Sequence, residues 1–339
     1  MVTIGISGYG AYVPRLRIKK EDYAKAWGSF SAAGVNEKSV MGFDEDVLTM
    51  AVKAARRALD SVPLAPDKIT RFSLASTSPP YLEKVLSSTV ITGTGMLNDV
   101  FASDHTTSTR AGTESLLACL EHVQANPANS ALAIASDSPR ASMWDSIEHG
   151  LGAGAAGFVL SSENLIAELE GHASYVSEHF GERFRTADDD RIRDLNVKRF
   201  SAASFVGNIT KAGGALMKRL GTKAEDYSSV VLQQPDARTP GSAAAKMSFK
   251  DEQQAAGLVA KYLGDLGAAS VSVGLAAVLD SAKVGDRILV ISYGSGAGSD
   301  ALSLKVVADR KSSPSVGAEA ERKEYIDYIQ YLKIKGAIV

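Results

Sequence analysis

Along this chain the apolar positions switch between a two-residue and a three-to-four-residue period, and the switches mark its elements. Residues 2 to 9 alternate small and β-branched side chains as a buried strand does, and Gly8 and Gly10 let the chain turn closely afterwards. EDYAKAWG, 21–28, reads as a short helix closed by Gly28, and SFSAAGVNEKS as a loop. Asp44, Glu45 and Asp46 then open a helix through Leu59, with apolar residues at 47, 48, 51, 55 and 58. Residues 69–76 form a strand, stopped by Thr77-Ser78-Pro79-Pro80-Tyr81, where two prolines forbid its continuation. Helices are predicted over 82–97 and 108–125, strands over 131–135 and 158–161, and a flexible loop over SDSPRASMWDSIEHG between those strands.

The second half replays this order. A strand at 166–169, a charged connector at 182–198 and a helix at 204–220 precede a strand at 230–233 that ends in Gln234-Pro235. A helix at 269–282 leads to a strand at 287–292, stopped by GSGAG, and to a partner strand at 301–307. Each half holds a strand ending near a proline, a long apolar helix and two closing strands. The expected class is α/β, in two similar halves at 1–165 and 166–308 with a tail at 309–339. In that tail KSSPSVGAEAE reads as a linker. ERKEYIDYIQYLKIKGAIV spaces Tyr325, Tyr328 and Tyr331 by three residues, fit either to pack on its own domain or to dock a partner.

Composition narrows the classes. With 339 residues, 45% of them hydrophobic and 22% charged, the chain can bury a large core, and a net charge of −2 gives no field for nucleic acid or an anionic membrane. Its one cysteine forms no internal disulfide, and His105, His122, His149, His172 and His179 show no metal-ligand spacing. No signal peptide or membrane span is legible, so the expected location is the cytoplasm and neither metal nor resident cofactor is expected.

Chemistry points to the stretch from Asp104 to Val123. Small hydroxyl residues there precede an apolar helix with Leu116, Leu117, Leu120 and Val123, and a nucleophile at its start would gain from the positive end of the helix dipole. That seat holds Thr109. Cys119 lies inside the helix among apolar neighbours, as a core residue does.

YGAYVPRLRI, DEDVLTMAVKAARRAL, STRAGT, GLAAVLDSAKVGDRILVISYGSGAGSD and ERKEYIDYIQYLKIKG, in that order, resemble the archaeal and bacterial 3-hydroxy-3-methylglutaryl-CoA (HMG-CoA) synthase family of the thiolase superfamily. The resemblance implies a thiolase-like fold of two βαβαβ halves in five layers, normally a homodimer, acting on coenzyme A thioesters. It also implies a nucleophilic cysteine where this chain has Thr109, an acid/base histidine where it has Gln233, and a glutamate where it has Thr77. An asparagine of the same site corresponds to Asp265. Gly294-Ser295-Gly296 matches a glycine-rich loop that supplies an oxyanion-hole N–H, though the same glycines allow close packing of the halves.

Acyl transfer by the family route needs a thiolate, an imidazole and a carboxylate. Their replacement leads to the expectation of a catalytically degenerate HMG-CoA-synthase-like subunit. Its expected setting is a multi-subunit assembly with a thiolase-like catalytic subunit and a small OB-fold, zinc-binding scaffold, as a homo- or hetero-oligomer. The alternatives are an active acyl-CoA enzyme with altered chemistry, including acyl transfer, carbon–carbon cleavage or synthase-like condensation, and a non-catalytic acyl-CoA binder. Arg15, Arg17, Lys19, Lys20, Arg199, Lys211 and Lys218 are the basic residues available to nucleotide phosphates.

Overall fold

Successive side chains of a strand point to opposite faces, and here both faces are apolar. In β6 (Ser130–Asp137) Leu132 and Ile134 enter one core cluster and Ala131, Ala133 and Ala135 another. In β12 (Arg287–Ile291) Leu289 and Ile291 are likewise separated from Ile288 and Val290. Strands buried on two faces need helices on both sides. The computed structural model, which describes residues 2–178, 183–195 and 202–338, shows where those helices lie.

On one outer face α2 (Val47–Asp60) and α3 (Ser87–Thr94) share a core with β4 (Ile69–Ala75), β6 and β7 (Gly154–Ser161). On the other, α5 (Gly207–Leu220) and α6 (Thr239–Lys246) cover β11 (Ser229–Leu232), β12 and β13 (Gly298–Val306). Between them lie α4 (Ala111–Ala125) and α9 (Ser270–Ser281), whose apolar residues join the largest cluster together with strands of both halves. Helix, strands, central helices, strands and helix make five layers.

Among the described residues a nine-stranded sheet runs in the order β11, β12, β13, β8 (Ala167–Val176), β1 (Gly5–Tyr12), β7, β6, β4, β5 (Phe101–His105). The strands of the first half and those of the second meet where β1 and β8 pair, at Gly5–Glu168 and Ile6–Ala167. A Cβ on Gly5 would overlap the Ala167 carbonyl, so this close approach requires glycine.

Several elements differ from their sequence expectation. The helix expected over 82–97 is confined to α3, because the backbone after Pro79-Pro80 stays irregular and Glu83 takes a positive φ of 53°. The Asp104 carboxylate then accepts from Leu86 N and Ser87 N at 2.8 and 3.1 Å. Residues 101–105, not expected to pair, form edge strand β5 parallel to β4. The helix expected from 108 starts at Ala111. KSSPSVGAEAE is no linker: α10 (Val316–Glu321) buries Val316 and Glu319, and Arg57 reaches Glu319 at 2.8 Å.

The tail ends in α11 (Tyr328–Ile334), following β14 (Glu324–Tyr325), which pairs with β2 (Leu16–Lys19), itself paired with β3 (Glu37–Val40). Tyr331 is fully buried against Ile18, Tyr23 and Val40. His179, Arg199 and part of the 182–198 connector lie outside the described residues.

Candidate active site at the start of the central helix

Two buried carboxylates organise this region, Asp300 at the first turn of α4 and Asp137 at the turn before α9. Asp300 on β13 is fully buried and accepts from Arg110 Nε at 2.8 Å, Thr113 Oγ1 at 2.8 Å and Ser174 Oγ at 2.6 Å. Asp137, at the end of β6 and fully buried, ties together the chain ends around position 77. It accepts from Thr77 N at 3.0 Å, Thr77 Oγ1 at 2.7 Å, Ser78 N at 3.0 Å, Ser76 Oγ at 3.2 Å and Ser78 Oγ at 2.5 Å. It also accepts from Ala268 N at 2.7 Å, which joins the first half to the turn before α9. A buried carboxylate needs this many donors to offset its lost hydration.

Of the residues singled out from sequence, Thr77, Gln233 and Asp265 converge on that turn. Gln233 Nε2 donates to Gly267 O at 2.9 Å, and Asp265 Oδ1 accepts from Gly267 N at 2.8 Å while its other oxygen meets Arg183. Gly112 in α4 faces the same turn, where a Cβ would overlap the Ala268 carbonyl. Gln233 Oε1 is buried without a hydrogen-bond partner. The neighbouring Gln234 uses both ends of its amide, on Gly257 O and Ala260 N.

Thr109 sits in the segment leading into α4 and donates its hydroxyl to Tyr293 O at 2.6 Å. Beside it, Gly294 packs so closely on Ser108 and Arg110 that a side chain would collide with both. The Gly294 N–H is given to Gly298 O at 2.8 Å, and Ser295 Oγ accepts from Arg183 N at 3.1 Å. Gly296, at φ 100°, makes the exposed tip of this turn. In this geometry the Gly294-Ser295-Gly296 loop joins the halves by packing, and the Gly294 N–H is already engaged.

Cys119 is fully buried, and burial pushes its thiol up to about 11. His149 is buried and accepts from Ser31 N at 3.1 Å through Nδ1; burial holds its pKa below the ordinary value. His105 interacts with Ser103 Oγ at 3.3 Å. Neither imidazole bonds to Thr77, Thr109 or Gln233. Arg17 is fully buried, with Nη1 on the carbonyls of Pro14 and Leu16, so it is removed from the basic residues available to phosphate. Among the described residues no acidic, histidine or cysteine group has the make-up of a metal site, and no helix is long and apolar enough to cross a membrane.

Asp137 and Asp300 were missed in the sequence. Their signal was an aspartate closing an apolar strand run, in ALAIASD, and one following the GSGAGS turn. Only the fold shows that Asp300 reaches the start of α4 and that Asp137 joins Thr77 to Ala268.

Residues 212–327 match the family model described as hydroxymethylglutaryl-coenzyme A synthase C terminal. A hydroxymethylglutaryl-CoA synthase of Archaeoglobus fulgidus is 38% identical over 344 residues, covering 97% of this chain and 98% of that protein. The chain belongs to the HMG-CoA synthase family. A synthase of Methanococcus maripaludis is 35% identical, covering 100% of this chain and 99% of its own. Among solved structures, an HMG-CoA synthase complexed with CoA superposes with a TM-score of 0.86 at 19% identity, covering 98% of this chain and 90% of that one. PksG, an HMG-CoA synthase from Bacillus subtilis, reaches 0.88 at 21%, covering 99% and 89%. The fold is thiolase-like.

These findings correct the expectation of a catalytically degenerate subunit in a thiolase or acyltransferase assembly. Relatives more than a third identical over almost the whole chain carry the name of the synthase itself. The substitutions at Thr77, Thr109 and Gln233 led to that expectation, but the geometry around them is not that of a site filled in with apolar side chains. Thr77 and Ser78 are bonded to a carboxylate, Thr109 keeps its hydroxyl at the helix start, and Gln233 retains an open acceptor.

Proposed function

We propose that this member of the HMG-CoA synthase family acts on acyl-CoA thioesters and catalyses a synthase-type condensation without a cysteine thioester. The reaction expected is acetyl-CoA plus acetoacetyl-CoA plus water giving HMG-CoA and free CoA. The observation that carries this reading is full-length similarity to synthases, together with a site that keeps oriented polar groups at each position of the family pattern. Asp137 lies against Thr77, so a carboxylate from the adjacent strand reaches the place where the family pattern has a glutamate. In this reading Asp137 orients the hydroxyls of Thr77 and Ser78, Gln233 Oε1 accepts from a substrate hydroxyl, and Thr109 presents a hydroxyl at the positive end of α4. Hydroxyls are weaker nucleophiles than thiolates, so a slow enzyme is expected.

The test is HMG-CoA formation by the purified chain, followed by mass spectrometry. Turnover should persist after treatment with a thiol reagent, because Cys119 is inaccessible in the folded protein. Thr109→Val should lower kcat about a hundredfold or more, the scale of losing one positioned polar group in a site. Binding of CoA thioesters without product, in the face of a folded protein, would overturn the catalytic reading.

A further inference from the structure

A cavity of about 680 Å³ opens between the C-terminal segment, the 139–144 loop and residues 41–45, at a place where none of Thr77, Thr109 or Gln233 contributes. The volume is that of a small-molecule site. Both tryptophans of the chain line it, Trp27 and Trp144, and Trp144 is 74% exposed although a large aromatic side chain is favoured inside. Trp27 is oriented by a hydrogen bond from its Nε1 to Tyr328 Oη at 2.6 Å.

The charges on its wall do not balance locally. Arg140 and Arg191 share the one carboxylate of Asp190, at 3.2 and 4.0 Å. The other two acids on the wall are engaged by lysines outside it, Glu148 by Lys38 and Glu45 by Lys53. Lys335 forms no ion pair among the described residues. Burial destabilises its ammonium and Arg140 repels it, while Glu148 opposes both. Two cationic charges therefore face the cavity without a carboxylate of their own, next to aromatic faces.

Flat rings stack on indoles, and guanidinium and ammonium groups pair with phosphate. We propose that this cavity binds a purine nucleotide phosphate, with the base on the tryptophan faces and the phosphate held by Lys335 and Arg140. A free nucleotide and the nucleotide end of coenzyme A present the same chemistry.

Because both tryptophans line the cavity, intrinsic tryptophan fluorescence of the full chain reads occupancy directly. AMP and adenosine 3′,5′-bisphosphate should change it saturably, while adenosine and inorganic phosphate should bind about tenfold more weakly, the scale of one stacked base or one phosphate contact. Lys335→Met and Trp144→Ala should each weaken AMP about tenfold with circular dichroism unchanged; Trp144 is exposed, so its loss does not threaten folding. Coenzyme A binding with the same sensitivity to both variants would make its nucleotide end a source of the ligand, and AMP binding without coenzyme A binding would make the source a free nucleotide. Coenzyme A binding without AMP or bisphosphate binding would overturn the proposal. So would phosphate binding as tightly as AMP, affinities unchanged in both variants, or no saturable response to AMP.

Discussion

Asp137 shows how much one side chain can organise. Its two oxygens accept from backbone N–H groups of Thr77, Ser78, Ser138 and Ala268, which belong to three separate stretches of chain. Asp137→Ala would leave the Thr77 and Ala268 N–H groups without an acceptor, while Ser78 N keeps Ser76 Oγ and Ser138 N keeps Ser78 Oγ. At about 1–3 kcal/mol for each of these two orphaned groups, the variant should lose about 2 kcal/mol or more, read as a lower urea midpoint. A loss under about 1 kcal/mol would mean that water replaces the carboxylate and that Asp137 does not hold the site together. Thr109 was legible as the occupant of the helix start, but the acceptor of its hydroxyl, Tyr293 O, is 184 residues away and has no local signature.

At the scale of elements, α2 follows its sequence closely. Asp46 and Thr49 close a reciprocal capping box that fixes its start, and its periodic alanines and leucines are buried. The tail behaves differently. Its tyrosine spacing left two outcomes open, and the structure places Tyr331 in the interior, where its hydroxyl bonds to Glu148 and accepts from Lys38 Nζ at 3.0 Å. Lys38 is fully buried and burial lowers its pKa to about 8, against the pull of Glu148. Tyr331→Phe removes one partner from this charged pair. It should cost about 1.5–3 kcal/mol, the range for hydrogen bonds to charged groups, measured by chemical denaturation. No change would show that the pair satisfies itself. Because Glu148 precedes Gly150, whose carbonyl accepts from Asp265 N at 2.7 Å, α11 buttresses a segment that reaches the candidate site.

For the whole molecule, ion pairs that bridge strands make stability depend on pH. Burial alone would raise the pKa of Glu170, but hydrogen bonds from Arg287 and Ser303 outweigh it and hold the carboxyl below its ordinary 4.5. The folded chain therefore releases this proton more readily than the unfolded chain. The contribution is present above 4.5 and is lost as pH falls through the lowered value. Urea midpoints of the parent protein and Glu170→Gln should differ at neutral pH and converge in acid. A constant difference would show that Glu170 titrates alike in both states.

What the sequence determined by itself was local and periodic: the α/β class, the central helix, most strands and the family resemblance. Hydrophobic spacing and proline or glycine stops act within a few residues, so they survive without tertiary information. The edge strand 101–105, the shortened helix at 87–94 and the packed tail needed the fold, because pairing partners and burial decided them. So did the character of the site. Thr77, Thr109 and Gln233 suggested in isolation a site stripped of chemistry, and only the tertiary structure brings Asp137 beside Thr77 and leaves Gln233 Oε1 open. The physical reason is that a buried polar group is defined by its partners, and here those partners come from distant parts of the chain.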